Sequence, residues 1–205
     1  MTATCLWNSC AVISRSALRL GLKSGYGCYH NLTVAMQEKS SVFYEAPPPQ
    51  ASRELAELRI SPGYTPPFQI IRRRVIDDYN EGRMTIDATV VIRIGDIEET
   101  EAARGVGVVH ALDVALRKAL LKYFPFLGSV KVTETYTHGS GESTEAEVIS
   151  VKKFSDGRST WTTMAKSANT VEAGWISLVD GYEWRINAEN FRTKRLLGNP
   201  RLSSR

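Results

Sequence analysis

The sequence predicts an α+β fold in which two consecutive β-β-β-α units share one core. Apolar residues recur at every second position from Ile86 to Ile94, a period that is typical of a half-buried strand. Two later segments carry apolar residues at helical spacing, and the whole pattern occurs twice, about 60 residues apart. Because neither unit could bury both its sheet face and its helix face alone, we expect one domain built from both units.

The first unit is predicted to span about residues 68–124. Its strands are expected at Phe68–Val75, at residues 86–94 and at Ile97–Ala103, with a turn at Gly95-Asp96. Its helix is expected over Val108–Phe124, because Val109, Leu112 and Leu116 lie on one face and Pro125 ends it.

The second unit is predicted to span about residues 130–186. Its strands are expected at Val130–Thr137, from Ala146 onward and at Ser159–Ala165, and its helix at Thr170–Gly181. Asn169 followed by Glu172 resembles a capping box before that helix. Residues 88–92 align with residues 146–150, 58 positions later, whereas the helices align 62 positions apart. A longer hairpin turn around residues 155–158 is expected to account for the difference.

The organised domain is therefore predicted over residues 61–186, between two less regular flanks. Residues 1–60 are interpreted as a leader and linker, largely disordered, with a stiff stretch at Pro47-Pro48-Pro49 and a short amphipathic piece after it. Residues 187–205 are interpreted as a basic disordered tail.

The positive charge of the chain, a net +4, lies in these flanks. Residues 61–186 hold 15 Lys and Arg against 17 Asp and Glu, so the predicted domain is mildly acidic. Arg72, Arg73 and Arg74 fall on a predicted strand, where neighbouring side chains point to opposite faces and cannot form one patch. We therefore expect no nucleic-acid partner. No run of 18 apolar residues occurs either, so no membrane span is expected.

The first 36 residues contain no Asp or Glu but carry Arg15, Arg19 and Lys23. This composition is typical of an organellar transit peptide, and a non-native upstream extension or a mistaken start codon is the alternative. The expected location is cytoplasmic, or a plastid or mitochondrion if the leader is a transit peptide. The three cysteines, Cys5, Cys10 and Cys28, all lie in this flank, so no disulfide framework is expected in the domain.

Catalytic machinery is not indicated. No two of the three histidines have metal-ligand spacing, and no nucleophile or phosphate-loop motif occurs, so we expect no catalytic residue, metal or cofactor. The loop Gly105-Val106-Gly107 stands out because it precedes a helix, whose free N–H groups favour an anion. Its counterpart before the second helix is Ser167-Ala168-Asn169. A simple tight turn is the alternative interpretation.

Four stretches together carry a family resemblance. They read GYTPPF at residues 63–68, GVGVVHALDVALRKAL at 105–120, DGRSTWTT at 156–163 and EAGWISLVDGYEW at 172–184. In this order they resemble the C-terminal regulatory domain of α-isopropylmalate synthases and citramalate synthases. The resemblance covers about residues 63–186.

That resemblance implies two pseudo-twofold-related units, dimerisation, and feedback inhibition by bound leucine or isoleucine. The family's effector loop falls on residues 105–111, with Val108 in place of a proline, and its Asp-Tyr pair falls on Glu134-Thr135. Together with the helix-terminus argument, the predicted effector-binding residues are Gly105, Val106, Gly107, Val109, His110, Glu134, Thr135, Thr144, Ala146, Ser167 and Asn169.

The resemblance also implies that the acetyl-CoA-dependent acyl transfer of those synthases takes place on a separate (β/α)₈ barrel. Nothing before residue 63 matches such a barrel, so this sequence is not expected to catalyse. The expected function is an orphan or truncated regulatory domain that binds leucine or isoleucine and forms a homodimer, or a heterodimer with a full-length synthase. The alternative is a structural dimerisation module that no longer senses an amino acid.

Overall fold

The computed structural model describes residues 47–140 and 147–197, and it contains two three-stranded antiparallel sheets, each followed by a helix. A helix, α1 (Gln50–Ile60), comes first. The first unit consists of β1 (Gln69–Asn80), β2 (Arg83–Ile94), β3 (Ile97–Gly105) and α2 (Val108–Leu121). A 3₁₀ turn (Pro125–Ser129) leads to the second unit, which consists of β4 (Lys131–Ser140), β5 (Glu147–Ser155), β6 (Thr160–Ser167) and α3 (Thr170–Leu197). This order confirms the predicted α+β fold of two β-β-β-α units.

One hydrophobic core joins the two units. Helix α2 packs on the first sheet and α3 on the second, and Val90, Leu116, Phe154 and Tyr182 all belong to the same buried cluster. A Cβ atom at Gly181 would lie 2.1 Å from the Phe154 ring, so the ring occupies the space that a side chain in α3 would need. The shared core confirms the expectation that neither unit is buried alone.

The repeat is more regular than the sequence alignment suggested. Strands β1 and β4 begin 62 positions apart, at Gln69 and Lys131, and helices α2 and α3 begin 62 positions apart as well. Each first strand also has a register shift after its second residue, between Ile70 and Arg72 in β1 and at the corresponding place in β4. The two units therefore correspond residue by residue at a constant spacing of 62.

The predicted spacing of 58 for the central strands was wrong. Gln69 pairs with Arg93, and Lys131 pairs with Ser155, so residues 88–92 correspond to 150–154 and not to 146–150. Alternation with a period of two looks the same after a slip of four residues, and only strand pairing fixes the register. The second hairpin does have the longer turn that was predicted, with four residues between β5 and β6 against two between β2 and β3. It inserts no residue into the repeat, however, because Gly95 and Gly157, 62 positions apart, hold the same positive-φ position.

Helix α3 was predicted to end at Gly181, and this prediction was wrong. The prediction that a disordered tail begins at residue 187 was also wrong. The helix continues to Leu197. Tyr182 and Ile186 are fully buried and continue the apolar face beyond Gly181, so core packing outweighs the low helix propensity of glycine. Strand β1 likewise extends to Asn80, five residues beyond its predicted end.

Helix α1 is part of the domain, in contrast to the largely disordered flank predicted for residues 1–60. Ala51 and Leu55 are buried, and the Met164 N–H donates a 2.9 Å hydrogen bond to the Ser52 hydroxyl. Apolar spacing was visible here, but the partners in α3 and β6 are more than 100 residues away in the sequence. The leader composition and the three cysteines concern residues outside the described part of the chain.

The last turn of α1 is held to α3 by a charged cluster. The Arg59 guanidinium donates to Asp180 at 2.7 Å and to both carboxylate oxygens of Glu183, at 2.6 and 3.2 Å. The Tyr64 hydroxyl donates to Glu183 at 2.7 Å, and the Asn187 amide donates to that hydroxyl. Burial raises the pKa of Asp180, while Arg59 opposes that rise. The bidentate arrangement fixes the angle at which α1 meets α3.

No helix within residues 47–140 and 147–197 is long and apolar enough to cross a membrane.

Candidate functional site

The loop before α2 contains two glycines with different roles. A Cβ atom at Gly105 would lie 2.5 Å from the Ala111 backbone nitrogen, so only glycine lets β3 approach α2 this closely. A Cβ atom at Gly107 would meet nothing within 4 Å. Gly107 is the N-cap of α2 and offers no side-chain cap, which leaves N–H groups of the first turn without a partner in the helix.

Helix α3 begins in the opposite way, with its first turn already capped. The Asn169 side-chain oxygen accepts hydrogen bonds from the N–H groups of Val171 at 2.8 Å and Glu172 at 3.1 Å. The Ser167 hydroxyl in turn accepts from the Asn169 N–H. The Glu172 carboxylate binds Arg73 and does not complete a capping box. Ser167 and Asn169 were predicted to contact an effector, but their polar atoms serve the helix cap.

Three of the predicted residues line one pocket of about 520 Å³ between α2, β4 and β5. Val109 and His110 come from the first turn of α2, and Thr135 comes from the middle of β4. The pocket is lined by Val109, His110, Asp113, Arg117, Lys131, Val132, Thr135, Lys152 and Leu178. Apolar and charged side chains both reach it, as a small amphipathic ligand would require.

Two charged residues of opposite sign, a buried lysine and a half-buried aspartate, lie in this pocket. Lys152 is 1% exposed, and it pairs with Thr135 across the two strands. Burial lowers the pKa of Lys152, and the Asp113 carboxylate opposes that effect. Burial raises the pKa of Asp113, although the Tyr182 hydroxyl donates a 2.6 Å hydrogen bond to it. Both groups are therefore shifted towards their neutral forms.

The other predicted site residues lie elsewhere or outside the described residues. Val106 is 93% exposed and does not line the pocket. Glu134 turns away from it to an ion pair with Lys153 at 2.8 Å. Gly105 packs against α2, as described above. Thr144 and Ala146 lie outside the described residues.

The equivalent position in the other half of the molecule is filled. At the spacing of 62, Thr135 corresponds to Arg73 and His110 corresponds to Glu172. Arg73 forms an ion pair with Glu172, and its guanidinium carbon lies 5.6 Å from the ring centre of Trp175. Trp175 itself corresponds to Asp113. The Arg73–Glu172 salt bridge and the Trp175 indole therefore occupy a position between α3 and the first sheet. The equivalent position between α2 and the second sheet is the pocket.

Sequence reasoning missed the charged part of the pocket, although a signal was present. Asp113 and Arg117 follow His110 at helical spacing, so all three belong to one face of α2. Lys152 alternates with Ser150 and Phe154 on the buried face of β5. A lysine at an inward position of a strand is a signal for a polar cavity or a buried ion pair.

Comparisons with known proteins bear on the family. The model of the LeuA allosteric (dimerisation) domain family matches residues 54–185. The (R)-citramalate synthase of Geobacter sulfurreducens is 31% identical over 156 residues, which are 74% of this chain and 30% of that protein. The (R)-citramalate synthase of Sulfolobus acidocaldarius is 37% identical over 103 residues, 49% of this chain and 20% of that protein.

A third relative, the (R)-citramalate synthase of Aquifex aeolicus, is 36% identical over 121 residues, 58% of this chain and 23% of that protein. The chain thus matches less than a third of the length of each of these relatives. The family model, in contrast, covers well over half of the chain and includes all six strands, α2, most of α1 and the first part of α3. The protein therefore belongs to the family of LeuA allosteric (dimerisation) domains.

Proposed function

We propose that this chain is a regulatory domain that binds leucine or isoleucine in the pocket between α2 and β4, for feedback control of branched-chain amino acid biosynthesis. The observation that carries the proposal is the convergence of Val109, His110 and Thr135, predicted from two separate segments, on one pocket. Val109, Val132 and Leu178 offer apolar contacts for an aliphatic side chain, and the charged residues offer partners for its polar end.

Calorimetry and thermal unfolding of the full chain with leucine and with isoleucine test this proposal. We expect heat of binding and a rise in Tm that grows with ligand concentration, since a ligand that binds only the folded state stabilises it. Valine and threonine serve as comparison ligands for the size and polarity of the side chain. No heat and no rise in Tm at millimolar leucine or isoleucine would refute the proposal.

A second candidate function is dimerisation without sensing, and exposed apolar residues favour an interface. On the first hairpin, Tyr79 is 72% exposed and Met84 is 62% exposed, and Ile76 on the same strand as Tyr79 is 46% exposed. The departures from the family pattern at Thr135 and Val108 also favour this alternative. Sedimentation analysis of the chain, alone and mixed with a full-length synthase, distinguishes a homodimer from a heterodimer. Dimers without any amino-acid binding would support this second function.

We propose that acyl transfer, the activity of the synthases that this chain resembles, is not performed by these residues. The pocket contains no group of metal ligands, and none occurs in the described ranges of the chain. Release of CoA from acetyl-CoA with pyruvate or 2-oxoisovalerate measures the activity directly. Turnover by this chain alone would contradict the proposal.

For the location, we propose the cytoplasm, or a plastid or mitochondrion if residues 1–36 act as a transit peptide. Fusing residues 1–36 to a fluorescent protein and following its location in cells distinguishes the two. Organellar import of the fusion would favour the transit peptide.

A further inference from the structure

Lys152 is the most deeply buried cation among the described residues, and it lines the pocket. Its side chain is 1% exposed, on the inward row of β5 that also contains Ser150 and Phe154. Burying an ammonium group is costly unless a negative charge or several acceptors compensate it. The carboxylate that acts on Lys152 electrostatically is Asp113, which already accepts the Tyr182 hydrogen bond.

The fold itself does not require these two charges. At the constant spacing of 62, Lys152 corresponds to Val90, which is fully buried, and Asp113 corresponds to Trp175, which is 5% exposed. The first sheet is therefore built with an apolar residue where the second has a lysine. Because the same architecture forms without Lys152 and Asp113, the cost of burying the Lys152 ammonium group beside a half-buried carboxylate points to a role in binding.

The charge balance of the pocket favours a carboxylate. Arg117 and Lys131 line it beside Lys152, while Asp113 is the one acidic residue among the described residues that line it. A ligand carboxylate would thus meet an excess of positive charge, and a ligand ammonium group would have one anionic partner. The apolar wall of Val109, Val132 and Leu178 remains for an uncharged side chain.

We propose that Lys152 and Asp113 recognise the two charged ends of an α-amino acid zwitterion, Lys152 binding the carboxylate and Asp113 the ammonium group. This inference rests on the proposed function and specifies which residues determine its specificity. Charge-assisted hydrogen bonds at both ends select the zwitterion over molecules that lack either end.

The test compares leucine or isoleucine, whichever binds more tightly, with two analogues of the same side chain. The corresponding 2-oxo acid lacks the ammonium group, and the corresponding amino acid amide lacks the carboxylate. Calorimetry is performed on the full chain and on the variants Lys152→Met and Asp113→Asn. Lys153→Met, the neighbouring residue in an exposed ion pair with Glu134, is the matched control.

We expect the wild-type chain to bind the amino acid about tenfold or more tightly than either analogue, the loss expected when a charged hydrogen-bonding partner is missing. Lys152→Met should weaken amino-acid binding about tenfold and leave binding of the amide unaffected. Asp113→Asn should also weaken amino-acid binding about tenfold, but it should leave binding of the 2-oxo acid unaffected. Lys153→Met should bind like the wild type. Both pocket variants should keep cooperative unfolding. In Lys152→Met, an apolar side chain takes a position whose counterpart in the first unit is the apolar Val90. In Asp113→Asn, the side-chain oxygen can still accept the hydrogen bond from Tyr182.

Two kinds of failure are distinguishable. If the wild type binds the amino acid but both pocket variants bind it equally well, or if the 2-oxo acid binds more tightly than the amino acid, this inference is overturned and the proposed function stands. If the wild type binds neither leucine nor isoleucine, the proposed function and this inference are both overturned.

Discussion

The two halves of the molecule share one backbone plan and differ at the start of their helices. Helix α2 begins at an uncapped glycine beside an open pocket, whereas α3 begins at a capping asparagine beside the Arg73–Glu172 ion pair. The strands, the register shifts and the hairpin glycines nevertheless correspond at a constant spacing of 62. The backbone pattern thus occurs in both halves, whereas the cavity occurs in one, so the residues that differ at the cavity are the ones to test for binding.

The largest expected effect is a loss of stability when Gly105 of the first unit is replaced by the residue at the equivalent position of the second unit. Ser167 is its counterpart, but a Cβ atom at Gly105 would lie 2.5 Å from the Ala111 backbone nitrogen. We expect Gly105→Ser to lower the free energy of unfolding by about 2 to 3 kcal/mol, because the backbone must shift to relieve the overlap. Urea unfolding measures this. Gly107→Ala is the control, and an equal loss in both variants would show that close packing is not the cause.

The next effect concerns the pocket. Thr135→Arg introduces the residue that fills the equivalent space in the other half, where Arg73 lies. We expect it to weaken amino-acid binding at least about tenfold, equivalent to 1.4 kcal/mol. Calorimetry on the full chain measures the change. Thr137→Arg, two residues further along the same face of β4, adds the same charge outside the pocket lining and should leave affinity unchanged.

Exchanging the helix caps should have a smaller effect on stability. Asn169→Ala removes the side-chain oxygen that accepts from Val171 and Glu172 and should cost about 1 kcal/mol. Gly107→Asn gives α2 the cap that α3 has and should add a few tenths of a kcal/mol. Thermal unfolding of both variants checks the two signs. A loss of stability in Gly107→Asn would mean that the first turn of α2 already has partners for its N–H groups.

The smallest expected effect is the contribution of Lys152, in the second half, to the pH dependence of stability. Burial lowers the pKa of Lys152, so the unfolded chain binds more protons than the folded chain between the lowered pKa and the ordinary value of about 10.4. Over that interval the wild type gains stability from this group as the pH rises, and the Met variant does not. We expect Lys152→Met to be the more stable at pH 7 without ligand, by a margin that narrows towards pH 10. A constant margin would contradict a buried titrating lysine.

The sequence was sufficient to predict the element order, because alternation, helical spacing and the Asp156-Gly157 turn are local signals. The register of the repeat was not predictable from the same alternation, since a shift of four residues preserves which side chains face inward. The end of α3 depends on Tyr182 and Ile186 meeting core residues from other elements, which no local rule contains.

The candidate site, too, could be predicted from the sequence only in part. The start of α2 could be located from the glycines and the family resemblance, and Thr135 from the resemblance alone. Asp113 and Lys152 were missed because they lie on two different elements, α2 and β5, and line the same cavity only in the folded structure. Glu134 was predicted because the family's Asp-Tyr pair falls on Glu134-Thr135, but adjacent residues on a strand face opposite sides, and Glu134 lies in the ion pair with Lys153.

The contact between Arg59 and α3 determines where this domain can be divided. A polypeptide that began at Ser61 would retain all six strands but would leave Asp180 and Glu183, 7% and 4% exposed, without their cation. The same cut would remove the buried residues Ala51 and Leu55, so the fragment would lose apolar packing against α3 and β6 together with the ion pair. Helix α1 therefore has to be included in any fragment intended to fold, and the family match that begins at residue 54 already contains Arg59.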